Sequence, residues 1–200
     1  MTDISTLSEY DFIAVIDKSG SMSSDVSATN KKSRWEFMQE TATAFCQDLN
    51  RIDSDGIDIV LFGGSSITPY QGVGADKIQE IFSTNRPAGS TPLAEALTEA
   101  FKLAGKSDKK DFIIVFTDGV PDDKAAAAKV IIDQANKQET DDALTVLFVQ
   151  VGDDVSATAY LRELDDNLKG AKFDIVDAMT MDEAEKFSST AAMIIKAIND

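Results

Sequence analysis

The chain has 200 residues, of which 35 are acidic and 19 basic, and its formal net charge is −16. It contains no histidine and a single cysteine, Cys46, which excludes Ser-His-Asp and Cys-His catalytic systems, internal disulfides, and zinc or iron–sulfur sites built on these residues. A metal ion held by this chain would need oxygen ligands, which Mg²⁺, Mn²⁺ and Ca²⁺ accept. The acidic excess argues against binding to nucleic acid or to an anionic membrane, since both require a basic surface.

Short apolar segments rich in β-branched and aromatic residues recur along the chain and predict strands. Their nearly continuous hydrophobicity is typical of a parallel sheet that is covered on both faces. These segments are Asp11–Ile16, Ile57–Phe62, Phe112–Phe116, Leu144–Val151 and Phe173–Val176. Ile67–Tyr70 follows a Gly-Gly-Ser turn and predicts a hairpin partner of the second strand, which would form an antiparallel edge.

Helical patterns lie between these strands and predict an α/β fold of three layers with right-handed crossovers. The predicted helices are Lys32–Asn50, Thr91 to Gly105, Asp122–Lys137, Asp154–Leu168 and Met181–Ile198. Thr91 is expected to cap the second helix, with Pro92 at its first position. The polar N-terminus lacks the features of a signal peptide, and no apolar run approaches the ~18–20 residues of a membrane span. A soluble cytoplasmic protein is therefore expected.

Polar residues follow two of the predicted strands, at the edge where the loops of a parallel sheet converge. D-K-S-G-S occupies positions 17–21 and T-D-G occupies 117–119. An unpaired aspartate at the end of a buried strand is costly, so a divalent cation between Asp17 and Asp118 would neutralise both. Each motif alone is also compatible with an ordinary turn or cap, but together they predict an all-oxygen cation site. The predicted ligands are Asp17, Ser19, Ser21, Thr91 and Asp118.

The same segments, with G-S-T-P-L at 89–93, resemble the three parts of the metal-ion-dependent adhesion site of von Willebrand factor type A domains. The resemblance extends from Tyr10 to about Ile198. It implies a doubly wound, Rossmann-like α/β fold: a six-stranded, mainly parallel sheet with one antiparallel edge strand and helices on both faces. It also implies a single domain over residues 1–200, with a core at about 10–198, and makes the five predicted ligands the metal-coordinating set.

The resemblance further implies a non-catalytic protein-binding module. Mg²⁺ or Mn²⁺, with Ca²⁺ less favoured, would accept an Asp or Glu carboxylate from a protein partner as its last ligand. The chain looks most like the stand-alone intracellular members of the family, and this likeness suggests work beside AAA+ ATPases. Lys18 occupies the variable position of the Asp-x-Ser motif, where a side chain beside the site could compete with the ion or steer anionic partners.

Two alternatives remain open at this stage. The chain could be a metal-assisted phosphoesterase or phosphotransferase in which Asp17 is the nucleophile. Against this reading, Ser19 stands where such an enzyme would need a second carboxylate, and no general acid or base is apparent. The metal could also be purely structural, with partners binding elsewhere on the surface.

Overall fold

A computed structural model describes residues 4–49, 51 and 56–199. Its centre is a six-stranded sheet with the order β3-β2-β1-β4-β5-β6, in which only the β2–β3 pair is antiparallel. The strands are Tyr10–Asp17 (β1), Ile57–Gly63 (β2), Ser66–Val73 (β3), Lys110–Thr117 (β4), Leu144–Gln150 (β5) and Val176–Thr180 (β6). The predicted α/β fold and the antiparallel edge strand are confirmed. Ile16 pairs with Phe116, so β1 and β4 end at the same level.

Helices cover both faces of the sheet because successive strand residues point to opposite sides and both sides are apolar. The helices are Arg34–Leu49 (α1), Ala75–Thr84 (α2), Leu93–Leu103 (α3), Lys124–Ala135 (α4), Val155–Asp166 (α5), Met181–Ala184 (α6) and Thr190–Ile198 (α7). One core packs α1, α2 and α7 against the sheet, and the other packs α3, α4 and α5 on the opposite face. Asn50, the predicted last residue of α1, lies outside the described residues.

Two helix predictions differ from the structure. The helix α2 is absent from the predicted helices, although Ile78, Ile81 and Phe82 recur at helical spacing and are buried. The prediction of one helix over Met181–Ile198 is wrong, since the segment forms α6 and α7. Each helix has its own N-terminal cap: the Thr180 hydroxyl accepts from the Glu183 N–H, and the Ser189 hydroxyl accepts from the Ala192 N–H. These caps favour two short helices over one continuous helix.

The last strand lies further along the chain than predicted. The expected segment was Phe173–Val176, whereas β6 is Val176–Thr180. Asp177 breaks the apolar run in the sequence, yet its side chain is buried and accepts a hydrogen bond from the Lys196 ammonium at 3.3 Å. This long-range pairing allows a charged residue within the strand, which hydrophobicity alone cannot predict.

Candidate metal centre

Asp17 ends β1 and is completely buried. Its Oδ1 accepts a hydrogen bond from the Ser19 backbone N–H, and its Oδ2 accepts one from the Thr117 hydroxyl, both at 2.7 Å. Burial raises the pKa of the Asp17 carboxyl from 3.8 to about 6; the hydrogen bonds from Ser19 and Thr117 oppose this rise, and the nearby Asp118 charge adds to it. A carboxylate in this position is stabilised by any further positive charge that reaches it.

A chain of hydrogen bonds through Ser19 and Ser21 connects Asp17 to the second predicted carboxylate. The Ser19 and Ser21 hydroxyl oxygens lie 3.0 Å apart, and the Ser21 hydroxyl donates to Asp118 Oδ1 at 2.8 Å. Asp118 is buried directly after β4, whereas Ser21 is exposed. The structure thus brings four of the five predicted ligands together, with two buried carboxylates behind an accessible hydroxyl.

Thr91 is held by Asp122, which lies outside the group of four. Its N–H donates to Asp122 Oδ1 at 3.0 Å, and the Asp122 N–H donates to its carbonyl oxygen at 3.1 Å. Among the described residues, no hydrogen bond joins the Thr91 hydroxyl directly to the other four predicted ligands. The expectation that Thr91 caps the following helix is wrong, because Pro92 occupies the cap position and α3 begins at Leu93.

The loop before Thr91 packs against two other segments at this edge. The Gly20 N–H donates to the Gly89 carbonyl and the Gly64 N–H donates to the Ser90 carbonyl, both at 2.9 Å. Gly89 has a φ of +79°, and a Cβ at this position would lie 2.4 Å from Gly64 Cα. Only glycine permits this approach, which fixes the Thr91 loop against the turn between β2 and β3; the Gly20 hydrogen bond joins the same loop to the 17–21 turn.

Arg34, at the first position of α1, is a site residue that sequence reasoning missed. Its Nη1 lies 2.6 Å from Asp118 Oδ2, and its side chain is only 13% exposed. Lys18, which was expected beside the site, donates instead to Asn85 Oδ1 at 3.3 Å. The basic group in contact with the carboxylates is thus Arg34, and nothing in the 17–21 motif marks it.

Asp122 and Asp123 have separate roles. Asp123 caps α4 by accepting from the Ala126 N–H at 2.9 Å, whereas Asp122 holds Thr91. Across the described ranges, no group of three or more carboxylate, thiol or imidazole side chains could hold a metal ion. A cation at this edge would therefore depend on hydroxyl oxygens as well as on Asp17 and Asp118.

The fold and this cluster define an α/β protein with an all-oxygen polar site at the carboxyl ends of neighbouring parallel strands. The chain belongs to the von Willebrand factor type A domain family, whose model matches residues 12–120. Domains of this family often bind a divalent metal ion and mediate protein–protein interactions. The extent of one domain over residues 1–200 stays a prediction.

Several solved structures share the fold. The PilB minor pilin from Streptococcus sanguinis is 16% identical with a TM-score of 0.67; the match covers 94% of this chain and 60% of the pilin. The SpRpn10 VWA domain is 9% identical with a TM-score of 0.60, and 93% of each chain is covered. The manganese-loaded Plasmodium vivax TRAP protein is 20% identical with a TM-score of 0.58, over 88% of this chain and 71% of that one.

These identities establish a common fold and nothing more specific. This chain spans only 60% of the length of the PilB pilin. A search of curated proteins finds no match. In the described part of the chain, no helix combines the length and apolar character that a membrane crossing requires.

Proposed function

We propose that this chain is a non-catalytic protein-binding module that depends on a divalent metal ion. Mg²⁺, or Mn²⁺ in its place, is held by two carboxylates and three hydroxyls: Asp17, Ser19, Ser21, Thr91 and Asp118. The carboxylate of an Asp or Glu on a partner protein completes the coordination. The observation that carries this proposal is the chain of hydrogen bonds between two buried carboxylates, from Asp17 through the Ser19 backbone N–H and the Ser19 and Ser21 hydroxyls to Asp118.

The chemistry of these ligands supports Mg²⁺ or Mn²⁺. Carboxylate and hydroxyl oxygens are hard ligands, which both ions prefer. The Ser19–Ser21 and Ser21–Asp118 oxygen pairs, 3.0 and 2.8 Å apart, are hydrogen-bonded to each other, so a cation that binds here would replace these hydrogen bonds with metal–oxygen contacts.

The balance of charge and exposure supports a role in binding. Neutral hydroxyls complete the site without adding negative charge, so the ion keeps its attraction for a further carboxylate. Ser21 and Gly20 are exposed, which leaves an approach for that carboxylate. The TRAP neighbour is manganese-loaded, which is consistent with an oxygen site of this kind on the shared fold.

Asp17→Ala tests the proposal, with Asp11→Ala at the opposite end of β1 as the matched control. Calorimetric Mg²⁺ titration and thermal unfolding in MgCl₂ or EDTA should show metal binding and metal-linked stabilisation in the wild type and in Asp11→Ala. Asp17→Ala should lose both, together with Mg²⁺-dependent capture of protein partners. Retention of Mg²⁺-linked stabilisation in Asp17→Ala would contradict the site assignment.

The enzymatic alternative predicts a different result. Asp17 would have to act as a nucleophile, yet its side chain is buried and both of its oxygens accept hydrogen bonds, which favours the binding role. Turnover of a generic phosphoester in Mg²⁺, lost in Asp17→Asn, would support an enzyme instead. For a purely structural metal, EDTA would lower stability but leave partner capture intact. Partnership with an AAA+ ATPase and a cytoplasmic location stay predictions.

A further inference from the structure

We propose that Arg34 is a built-in competitor of the divalent cation, which weakens metal binding by placing its own positive charge on Asp118. This inference rests on the proposed function, since it concerns how tightly the same site holds its ion. It makes metal occupancy depend on the Mg²⁺ concentration and on a partner that supplies an additional carboxylate.

The contact between Arg34 and Asp118 uses the carboxylate oxygen that does not accept from Ser21. Asp118 Oδ1 accepts from the Ser21 hydroxyl at 2.8 Å, and Oδ2 accepts from Arg34 Nη1 at 2.6 Å. The backbone of Arg34 is fixed as well, because its N–H donates to the Ser24 carbonyl at 2.8 Å. The guanidinium is therefore held against one of the two carboxylates on which a metal ion would depend.

The hydrogen bonding of the Arg34 guanidinium is incomplete. The Arg34 Nε–H is buried and has no hydrogen-bond acceptor among the described residues, so the pair lacks the two parallel bonds of the strongest Arg–carboxylate contacts. The guanidinium lies against Gly152, where a Cβ would be 2.6 Å from Nε. An arginine with one bond to its partner and an unsatisfied N–H is easier to displace than a bidentate one.

A second carboxylate lies within reach of the Arg34 charge. Hydrogen bonds from Ser156 and Ala157 lower the pKa of the Asp154 carboxyl, and the positive charge of Arg34 lowers it further by a smaller amount. Asp154 is exposed at the start of α5. A guanidinium displaced from Asp118 would therefore still find a negative charge nearby.

Removal of Arg34 should have opposite effects on Mg²⁺ affinity and on the stability of the protein without metal. Asp17 and Asp118 carry two negative charges and Arg34 cancels one, so loss of Arg34 should strengthen Mg²⁺ binding by about tenfold or more. Without the metal, however, the buried Asp118 would lose its counter-charge. The unfolding temperature in EDTA should then fall by at least about 6 °C.

The test compares the wild type, Arg34→Gln, and Arg34→Lys, which keeps the positive charge. Mg²⁺ affinity is measured by calorimetry, and thermal unfolding is measured in EDTA and over a MgCl₂ series. Arg34→Gln should be less stable in EDTA, bind Mg²⁺ at least about tenfold more tightly and gain more stability from it. Arg34→Lys should stay within about threefold of the wild-type affinity, because its charge remains near the site.

Other results separate the possible failures. Equal Mg²⁺ affinity in wild type and Arg34→Gln would assign Arg34 a structural role only. Weaker Mg²⁺ binding in Arg34→Gln would make Arg34 a positioning residue for Asp118. Either result overturns the inference and leaves the proposed metal site in place. If none of the proteins binds Mg²⁺, the proposed function fails and the inference fails with it. If Arg34→Gln does not fold, Arg34→Met keeps most of the side-chain length without the charge and should also bind Mg²⁺ more tightly than wild type. Unchanged or weaker binding in Arg34→Met refutes the inference.

Discussion

Replacing Thr117 by valine removes a single hydroxyl from behind the candidate metal centre. Thr117 is completely buried at the end of β4, and its hydroxyl donates to Asp17 Oδ2 at 2.7 Å. Valine has nearly the same shape, so packing changes little while one oxygen of a buried carboxylate loses its donor. Hydrogen bonds to charged groups contribute about 1.5–3 kcal/mol. We therefore expect the free energy of unfolding at pH 8 in EDTA to fall by about 2 kcal/mol.

The loss in free energy of unfolding caused by Thr117→Val should increase with pH. The folded-state pKa of Asp17, about 6, lies above its ordinary value of 3.8. Stability from protonated Asp17 is thus complete below pH 3.8 and is lost as the pH rises through about 6. Since the Thr117 hydroxyl holds this pKa down, valine raises it further. The difference between wild type and variant should therefore widen from below about 1 kcal/mol at pH 5 to about 2 kcal/mol at pH 8.

Urea unfolding followed by circular dichroism, at pH 5 and pH 8 in EDTA, measures this difference. Thr145→Val makes the same exchange at a buried position of β5 and is the matched control; its effect should not change with pH. An equal loss at both pH values for Thr117→Val would refute the account, since it would mean that the hydroxyl does not stabilise an ionised Asp17.

Two further predictions concern other carboxylates. Asp122→Ala should reduce Mg²⁺-linked stabilisation because Asp122 positions Thr91. Asp123→Ala removes only the α4 cap and should lower the free energy of unfolding by about 1 kcal/mol with or without Mg²⁺. Equal responses of the two variants to Mg²⁺ in a thermal-unfolding series would contradict the positioning role of Asp122. Asp111 has a pKa raised to about 6 by burial, so its stabilising contribution is lost as the pH rises through that value. Asp111→Asn should therefore unfold with a free energy about 1 kcal/mol higher at pH 8, after a discount for solvent screening, and unchanged at pH 3, below the ordinary pKa of 3.8. An equal gain at pH 3 in urea unfolding would argue against this cause.

Local sequence patterns predict those parts of the fold that depend on local interactions. Continuous apolar runs identify β1, β2, β4 and β5 because both faces of these strands are buried. The strand β6 is displaced from its predicted position because Asp177 is paired with Lys196, a contact that only the folded chain creates. The division between α6 and α7 follows from two caps that a search for helical periodicity overlooks.

The candidate site likewise contains residues that local patterns predict and residues that only the tertiary structure brings together. Asp17, Ser19, Ser21 and Asp118 follow strand ends, so the geometry of a parallel sheet predicts that they come together. Thr117 belongs to the T-D-G motif, but its bond to Asp17 depends on the register between β1 and β4. Arg34 could not be predicted, since its position over Asp118 requires the side-chain-free surface of Gly152 on a distant loop.

A crystal of this chain grown with Mn²⁺ and measured at the manganese absorption edge would test the central claim most directly. The account predicts an anomalous peak in contact with the Ser19 and Ser21 hydroxyl oxygens, between Asp17 and Asp118. Loss of that peak in Asp17→Ala crystals would link it to the proposed ligands. No peak at this position, or a peak only at the acidic surface near Asp165 and Asp174, would contradict the account.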